Sequence, residues 1–219
     1  AGVGAMIRLD SVGHDYGRGP VLEDVTLEIA PARVTVLCGP NAVGKTTLLR
    51  IMAGVLAPTT GALSLGGRAY AALGARGRAR RSSFMSQRFE CSSGFTVERI
   101  LQLARVMIGR NQAAIDAVVD SLALESLLPR TLATLSTGQA QRVACARALI
   151  QAPLDGVVLL DEPLASLVSG KRCVCAAVSA DACKPCNCAQ VSHTRARSTA
   201  GWARAASSSC SRLSIETKW

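Results

Sequence analysis

The chain has 219 residues, of which 49% are hydrophobic and 3% aromatic, and carries a net charge of +10. That length has room for one sizeable core, or a core with a small subdomain, and the scarcity of aromatics makes the core aliphatic, as suits a parallel sheet covered by helices on both faces. No run approaches the roughly 20 apolar residues of a membrane span and the start lacks the layout of a signal peptide, so a soluble, cytoplasmic chain is expected, with any membrane role coming through a partner.

After the extension Ala1–Ala5, Met6-Ile7-Arg8-Leu9 and Val25-Thr26-Leu27-Glu28-Ile29 alternate apolar with polar residues and read as strands. Pro31 breaks the chain before Val34-Thr35-Val36-Leu37-Cys38, a short strand of the buried kind. A Gly-rich turn leads into a helix over Thr46–Val55, closed by a turn at Pro58 and Gly61. Ala62–Leu65 and Ser83–Met85 are weaker strand candidates. Over Thr96–Leu128 the period becomes helical, through Val97, Ile100, Leu101, Leu103 and Ala104 and again through Ile115, Val118, Val119 and Leu122, so an all-helical insertion is expected. Gly138–Ile150 is a further helix with Val143, Ala146 and Ile150 on one stripe, and Val157-Val158-Leu159-Leu160 is a continuous apolar strand ending in Asp161-Glu162.

Two of these junctions carry chemistry. Gly39-Pro40-Asn41-Ala42-Val43-Gly44-Lys45-Thr46 fits the phosphate-loop pattern G-x-x-x-x-G-K-[ST], between a strand and a helix as that pattern requires. Consecutive backbone N–H groups at a helix N-terminus make an anion nest, and glycine lets the backbone approach the phosphates. Lys45 then reaches the β and γ phosphates, and the Thr46 hydroxyl coordinates Mg2+. Asp161 and Glu162 stand at the mouth of a buried strand, where parallel sheets bind ligands. Asp161 is suited to hold Mg2+, and Glu162 to act as general base or to orient an attacking water.

In this order, the segments GPNAVGKTT (39–47), LSTGQAQRVACARALI (135–150) and VVLLDEPLASL (157–167) resemble the ATPase subunit of an ABC transporter, over roughly residues 6–167. The resemblance implies an α/β fold: a RecA-like phosphate-loop NTPase core with an antiparallel β edge and an all-helical signature subdomain at about 88–140. It implies ATP and Mg2+ as cofactors, with Thr47 completing the nucleotide loop. It also implies a head-to-tail dimer, with a second copy or a paralogous ATPase, in which Ser136, Thr137, Gly138 and Gln139 of one subunit reach the γ-phosphate held by Lys45 of the other. Tyr16, in HDYG, matches the aromatic that stacks on adenine, and Gln87, in FMSQ, matches the glutamine that touches Mg2+ and senses the transporter. The expected partners are transmembrane permease subunits at the inner face of the cell membrane, with no nucleic acid. The segment SGFTVERILQLAR (93–105) resembles the iron-chelate and cobalamin importer branch.

There are departures from that pattern. Ala42 stands in place of a loop glycine, and Thr137 in place of a signature glycine, where it crowds the approach to phosphate. Val168 stands where an Asp is expected. His193 follows Glu162 at about the distance of the family's switch histidine, but Cys188-Ala189-Gln190-Val191-Ser192 before it is not an aliphatic strand.

From Val168 onward the text degrades. Residues 168–219 hold eight Lys and Arg against two Asp and Glu, and six of the nine cysteines, so this tail is expected to lie outside the ATPase domain of residues 1–167, not natively folded, leaving the C-terminus of the fold incomplete. Cys38, Cys91 and Cys145 read as small core residues. Three readings of the tail stand side by side. In the first, a shifted reading frame begins near Val168: one inserted base can restore Asp there and a helix-like Gln-Arg-Gln-Ala-Leu-Arg-Leu after it. In the second, Cys183 and Cys186 with Cys173, Cys175, Cys188 and His193 form a zinc module, without the paired spacing of a zinc ribbon. The third is a disordered basic segment that binds nucleic acid. For the whole chain, the alternatives to a transport ATPase are a non-cycling product that only binds nucleotide and a soluble ATPase acting on nucleic acid.

Overall fold

A computed structural model describes residues 7–31, 34–38, 42–87, 94–106, 112–152 and 156–161, together with the backbone of 173–178, 194–197, 201–207 and 210–217. Gly39, Pro40, Asn41, Glu162 and His193 lie outside the described residues, as do Cys183, Cys186 and Cys188.

The chain opens with an antiparallel sheet. Strands β1 (Ile7–Asp15) and β2 (Pro20–Ile29) form a hairpin, and β4 (Thr60–Leu65) and β5 (Arg68–Ala69) extend it in the order β2-β1-β4-β5. Their alternation puts Ile7, Leu9, Leu27, Ile29, Leu63 and Leu65 on the buried face. Both first strands run further than their apolar alternation predicts, because the hairpin turn at residues 16–19 lets pairing continue to Asp15 and Pro20.

The second sheet has seven strands in the order β6-β7-β8-β3-β11-β10-β9. These are β3 (Val34–Cys38), β6 (Ser82–Met85), β7 (Val157–Leu160), β8 (Cys173–Val178), β9 (Thr194–Arg197), β10 (Gly201–Ser207) and β11 (Cys210–Thr217). Strands β6 and β7 are parallel, as are β3 and β11. Strand β8 runs antiparallel to both β3 and β7 and fills the slot between them.

Two layers of helix explain why β7 is apolar at every position. On one face, Val157 and Leu159 join a core with Leu48, Leu49, Ile51 and Met52 of helix α1 (Lys45–Ala53) and with the inner face of the antiparallel sheet. On the other, Val158 and Leu160 pack with Met85 against Ala144, Ala148 and Ala152, at the end of helix α5 (Thr137–Gln151). Period-two alternation on a strand covered from both sides leaves no solvent-facing position. Between α1 and α5 in sequence lie α2 (Ala75–Ala79), α3 (Val97–Ala104) and α4 (Gln112–Ser121). Val97, Ile100 and Leu101 of α3 and Ile115 and Val119 of α4 meet Val143, Ala146 and Ile150 of α5, so the expected helical insertion has its own core. Helix α5 belongs to that core and to the sheet, and links the two.

Helix α1 ends at Gly54, whose φ is 69° and whose N–H bonds back to Ile51 O at 2.9 Å. A Cβ on Gly54 would overlap the Tyr70 hydroxyl. Burial pushes the Tyr70 phenol above its ordinary pKa, and Arg78, with its guanidinium 4.7 Å from the ring centre, opposes that shift.

The sequence pattern offers no element after Val168, yet among the described residues the backbone there forms four strands. The physical reason is that ladder hydrogen bonds need only N–H and C=O groups, and β3 and β7 carry backbone edges that a neighbouring segment can satisfy. Among the described residues no helix is long and apolar enough to cross a membrane.

Candidate nucleotide and metal site

The site lies where β3 hands over to α1. Gly44 takes φ 94° and ψ 7° as the residue ahead of the helix, and Leu48 N–H closes the first turn on Gly44 O at 2.9 Å. A Cβ at Gly44 would stand 2.8 Å from Leu22 Cδ2 and 3.0 Å from Val21 O, so both torsion and space demand glycine. Val43 is buried just ahead of it. Ala42 also has a left-handed φ, 63°, which gives the physical reason why glycine is usual at that position. The first turn of α1 contains no acidic side chain, so the positive end of the helix faces the loop unopposed. Lys45, in that turn, is 6% exposed.

The carboxylate arrives from the far end of the chain. Pairing of β7 with β6 in register Met85↔Leu160 carries Asp161 one residue past the strand, where its N–H donates to Met85 O at 3.0 Å. Asp161 is 0% exposed, and Thr46 Oγ1 donates to its Oδ1 at 3.3 Å. Two hard oxygen donors, a hydroxyl and a carboxylate, thus converge beside a buried lysine and a helix N-terminus. This donor chemistry suits magnesium and disfavours soft metals. Gln87 sits at the bend two residues past β6, so the same register puts it at the same end of the sheet as Asp161.

Tyr16 and Thr47 bring in the antiparallel sheet. Tyr16 leads the β1–β2 turn, half-exposed, with its hydroxyl 3.3 Å from Thr47 Oγ1 on α1. The turn is closed by Asp15, whose Oδ1 accepts from the N–H groups of Gly17, Arg18 and Gly19 at 2.6, 3.1 and 3.2 Å. Asp15 and its neighbour His14 escaped the sequence reading, although an Asp followed by glycines two and four residues later is a recognisable turn signal.

The signature segment is placed apart, at the start of α5. Ser136 caps the helix: its side chain accepts from Gln139 N–H at 3.3 Å, while Gln139 Oε1 accepts from Ser136 N–H at 2.9 Å. Ser136 and Thr137 are exposed, Gly138 and Gln139 half-buried, and the first turn again carries no acid. This is a helix N-terminus open to an anion from outside the chain. The preceding loop is tied to α3: Val97 N–H donates to Arg130 O at 2.9 Å and Glu98 N–H to Leu128 O at 3.1 Å.

The family pattern of ABC transporters matches residues 22–165. The chain is 37% identical over 166 residues to the hemin import ATP-binding protein HmuV of Rhodopseudomonas palustris (strain BisB18), covering 72% of this chain and 62% of that protein. It is 32% identical over 160 residues to the zinc import ATP-binding protein ZnuC of Pseudomonas putida, covering 73% of this chain and 57% of that one. The chain therefore spans about three fifths of these relatives' length. Among solved structures, an ATP binding subunit of an ABC transporter superposes with a TM-score of 0.63 at 25% identity, over 75% of this chain and 69% of that chain.

Proposed function

The chain belongs to the ABC transporter family, and from that membership we propose that it binds and hydrolyses ATP as the energy-coupling subunit of a membrane importer. The observation that carries this reading is the contact between Thr46 and Asp161, two oxygen groups 115 positions apart that meet beside the buried Lys45. In the proposed site Lys45 and the first-turn amides of α1 grip the β and γ phosphates. Thr46, Asp161 and Gln87 hold Mg2+, which offsets phosphate charge. Glu162 takes the proton of the attacking water, and Tyr16 stacks on adenine. The exposed start of α5 supports a head-to-tail dimer, in which Ser136, Thr137, Gly138 and Gln139 meet the γ-phosphate held by a second copy or a paralogous ATPase.

The remaining parts of the proposal concern the whole assembly. Permease subunits hold the protein at the inner face of the membrane. The cargo is an iron chelate, hemin among them, a reading supported by the hemin-import relatives and by the segment at residues 93–105. Residues 1–167 carry the ATPase domain, and 168–219, although their backbone adds β8 to β11 to its sheet, are a tail whose coding frame is shifted. Support for the shift is that the family match ends at residue 165. Sequencing the DNA beyond the Asp161 codon tests it: another frame opening near Val168 and encoding an aliphatic strand that ends in His is expected, and no such frame contradicts it.

The test of the site is Mg2+-dependent ATP hydrolysis by the full chain and by Thr46→Val and Asp161→Asn. Asp161→Asn is expected to lower turnover by at least about a hundredfold. Unchanged turnover in Asp161→Asn, or no hydrolysis by the parent chain, sinks the assignment.

A further inference from the structure

The Tyr16 ring meets the His14 ring with centroids 4.5 Å apart and planes at 83°, an edge-to-face pair. His14 is itself 8% exposed, with Nδ1 3.4 Å from Thr59 Oγ1. Thr59 is fastened twice to the same strand: its N–H donates to Gly13 O at 2.8 Å, and its Oγ1 accepts from Asp15 N–H at 3.1 Å. Gly13 permits this close approach, since a Cβ there would stand 2.5 Å from Thr60 Oγ1. The segment Gly13–Asp15 is thus pinned to the start of β4, and Asp15 locks the turn beyond Tyr16 through three amides. Tyr16 itself lies outside both strands and is 52% exposed. Its ring orientation is set at one end by the hydroxyl contact to Thr47 and at the flank by His14.

We propose that His14 is a positioning residue for the nucleotide base: it holds the Tyr16 ring in the orientation that stacks on adenine, and so strengthens ATP binding without touching the ligand. The proposal rests on the reading of Tyr16 as the base-stacking residue. His14 meets Thr59 and the flank of the Tyr16 ring, whereas the link to the phosphate loop runs through the Tyr16 hydroxyl and Thr47, so His14 stands one residue removed from the groups proposed to serve the phosphates. A ligand with phosphates and no base is therefore indifferent to His14.

The experiment is equilibrium binding of ATP and of inorganic tripolyphosphate to the full chain and to His14→Ala, His14→Phe, Tyr16→Ala and the double alanine variant. An edge-to-face contact corresponds to a change of about two- to tenfold in affinity. His14→Ala is expected to weaken ATP by that factor and to leave tripolyphosphate affinity unchanged. His14→Phe, which still offers a ring edge, should recover most of the loss, and the double variant should bind ATP no more weakly than Tyr16→Ala. Full ATP affinity in His14→Ala alongside a loss in Tyr16→Ala overturns the role of His14 alone. An equal loss for tripolyphosphate shows general damage to the fold and also overturns it. If Tyr16→Ala binds ATP as the parent does, the base-stacking reading fails, and the role of His14 with it.

Discussion

Ala42 and Gly44 stand two residues apart in the phosphate loop, both at positive φ, 63° and 94°. For alanine that region carries a penalty of about 1–2 kcal/mol, and for glycine none. Ala42 is exposed, so a change there acts on the backbone alone. Ala42→Gly is therefore expected to raise stability by about 1 kcal/mol, read as a higher urea midpoint at unchanged slope. A lower midpoint would show that the loop is not held in the left-handed region. At Gly44 the opposite change, Gly44→Ala, is expected to cost more than that gain, because an added Cβ also collides with Leu22 and Val21. The contrast was only half legible in the sequence. The Gly44-Lys45-Thr46 pattern names the chemistry, while the torsion that explains the glycine usual at position 42 needs the backbone.

Helix α5 does two things at its first turn, and a substitution can separate them. Ser136 stabilises the helix as its cap, and its exposed side chain is proposed to meet phosphate from another subunit. Asp caps as well as Ser and suits the helix dipole, but repels an anion. Ser136→Asp should thus keep the melting temperature within a few degrees and abolish ATP hydrolysis, whereas Ser136→Ala should lose about 1 kcal/mol of stability. Retained hydrolysis in Ser136→Asp would count against a phosphate arriving at this helix. At the C-terminus of α1, Gly54→Ala places a Cβ on the Tyr70 hydroxyl at a φ of 69° and is expected to destabilise by about 2–3 kcal/mol, measured by chemical denaturation. Most helices and strands of residues 7–160, though not the two-residue β5, were readable because their periods are clean: 3.6 over Val97–Ala104, and continuous apolarity over Val157–Leu160. Helix α2 was not, since Ala75–Ala79 buries no residue and leaves no period to detect.

At the scale of the whole molecule, the sheet joins distant parts of the chain. Strand β3 is flanked by β8 and β11, both from the tail, with β8 antiparallel where it separates β3 from β7. The signals these strands carry are short, Leu213 and Ile215 between polar residues in β11 and a run of Cys, Ala and Val in β8, and backbone pairing is invisible to a reading based on side-chain pattern. The proposed site rests on a different kind of signal: Lys45 and Thr46 belong to the phosphate-loop pattern and Asp161 ends an apolar strand, and the contact between Thr46 and Asp161 needed the fold. Dimerisation belongs to this scale too. Replacing the proposed base, Glu162→Gln, is expected to leave ATP bound and to shift the chain to a dimer in ATP, seen by sedimentation; a monomer in ATP would contradict the head-to-tail arrangement. Most direct of all is equilibrium binding of Mg-ATP to the full chain and to Lys45→Ala. Saturable binding, weakened about ten- to a hundredfold by the loss of one charge-assisted contact, is the expected result. Binding that is absent, or indifferent to Lys45, would contradict the nucleotide site itself.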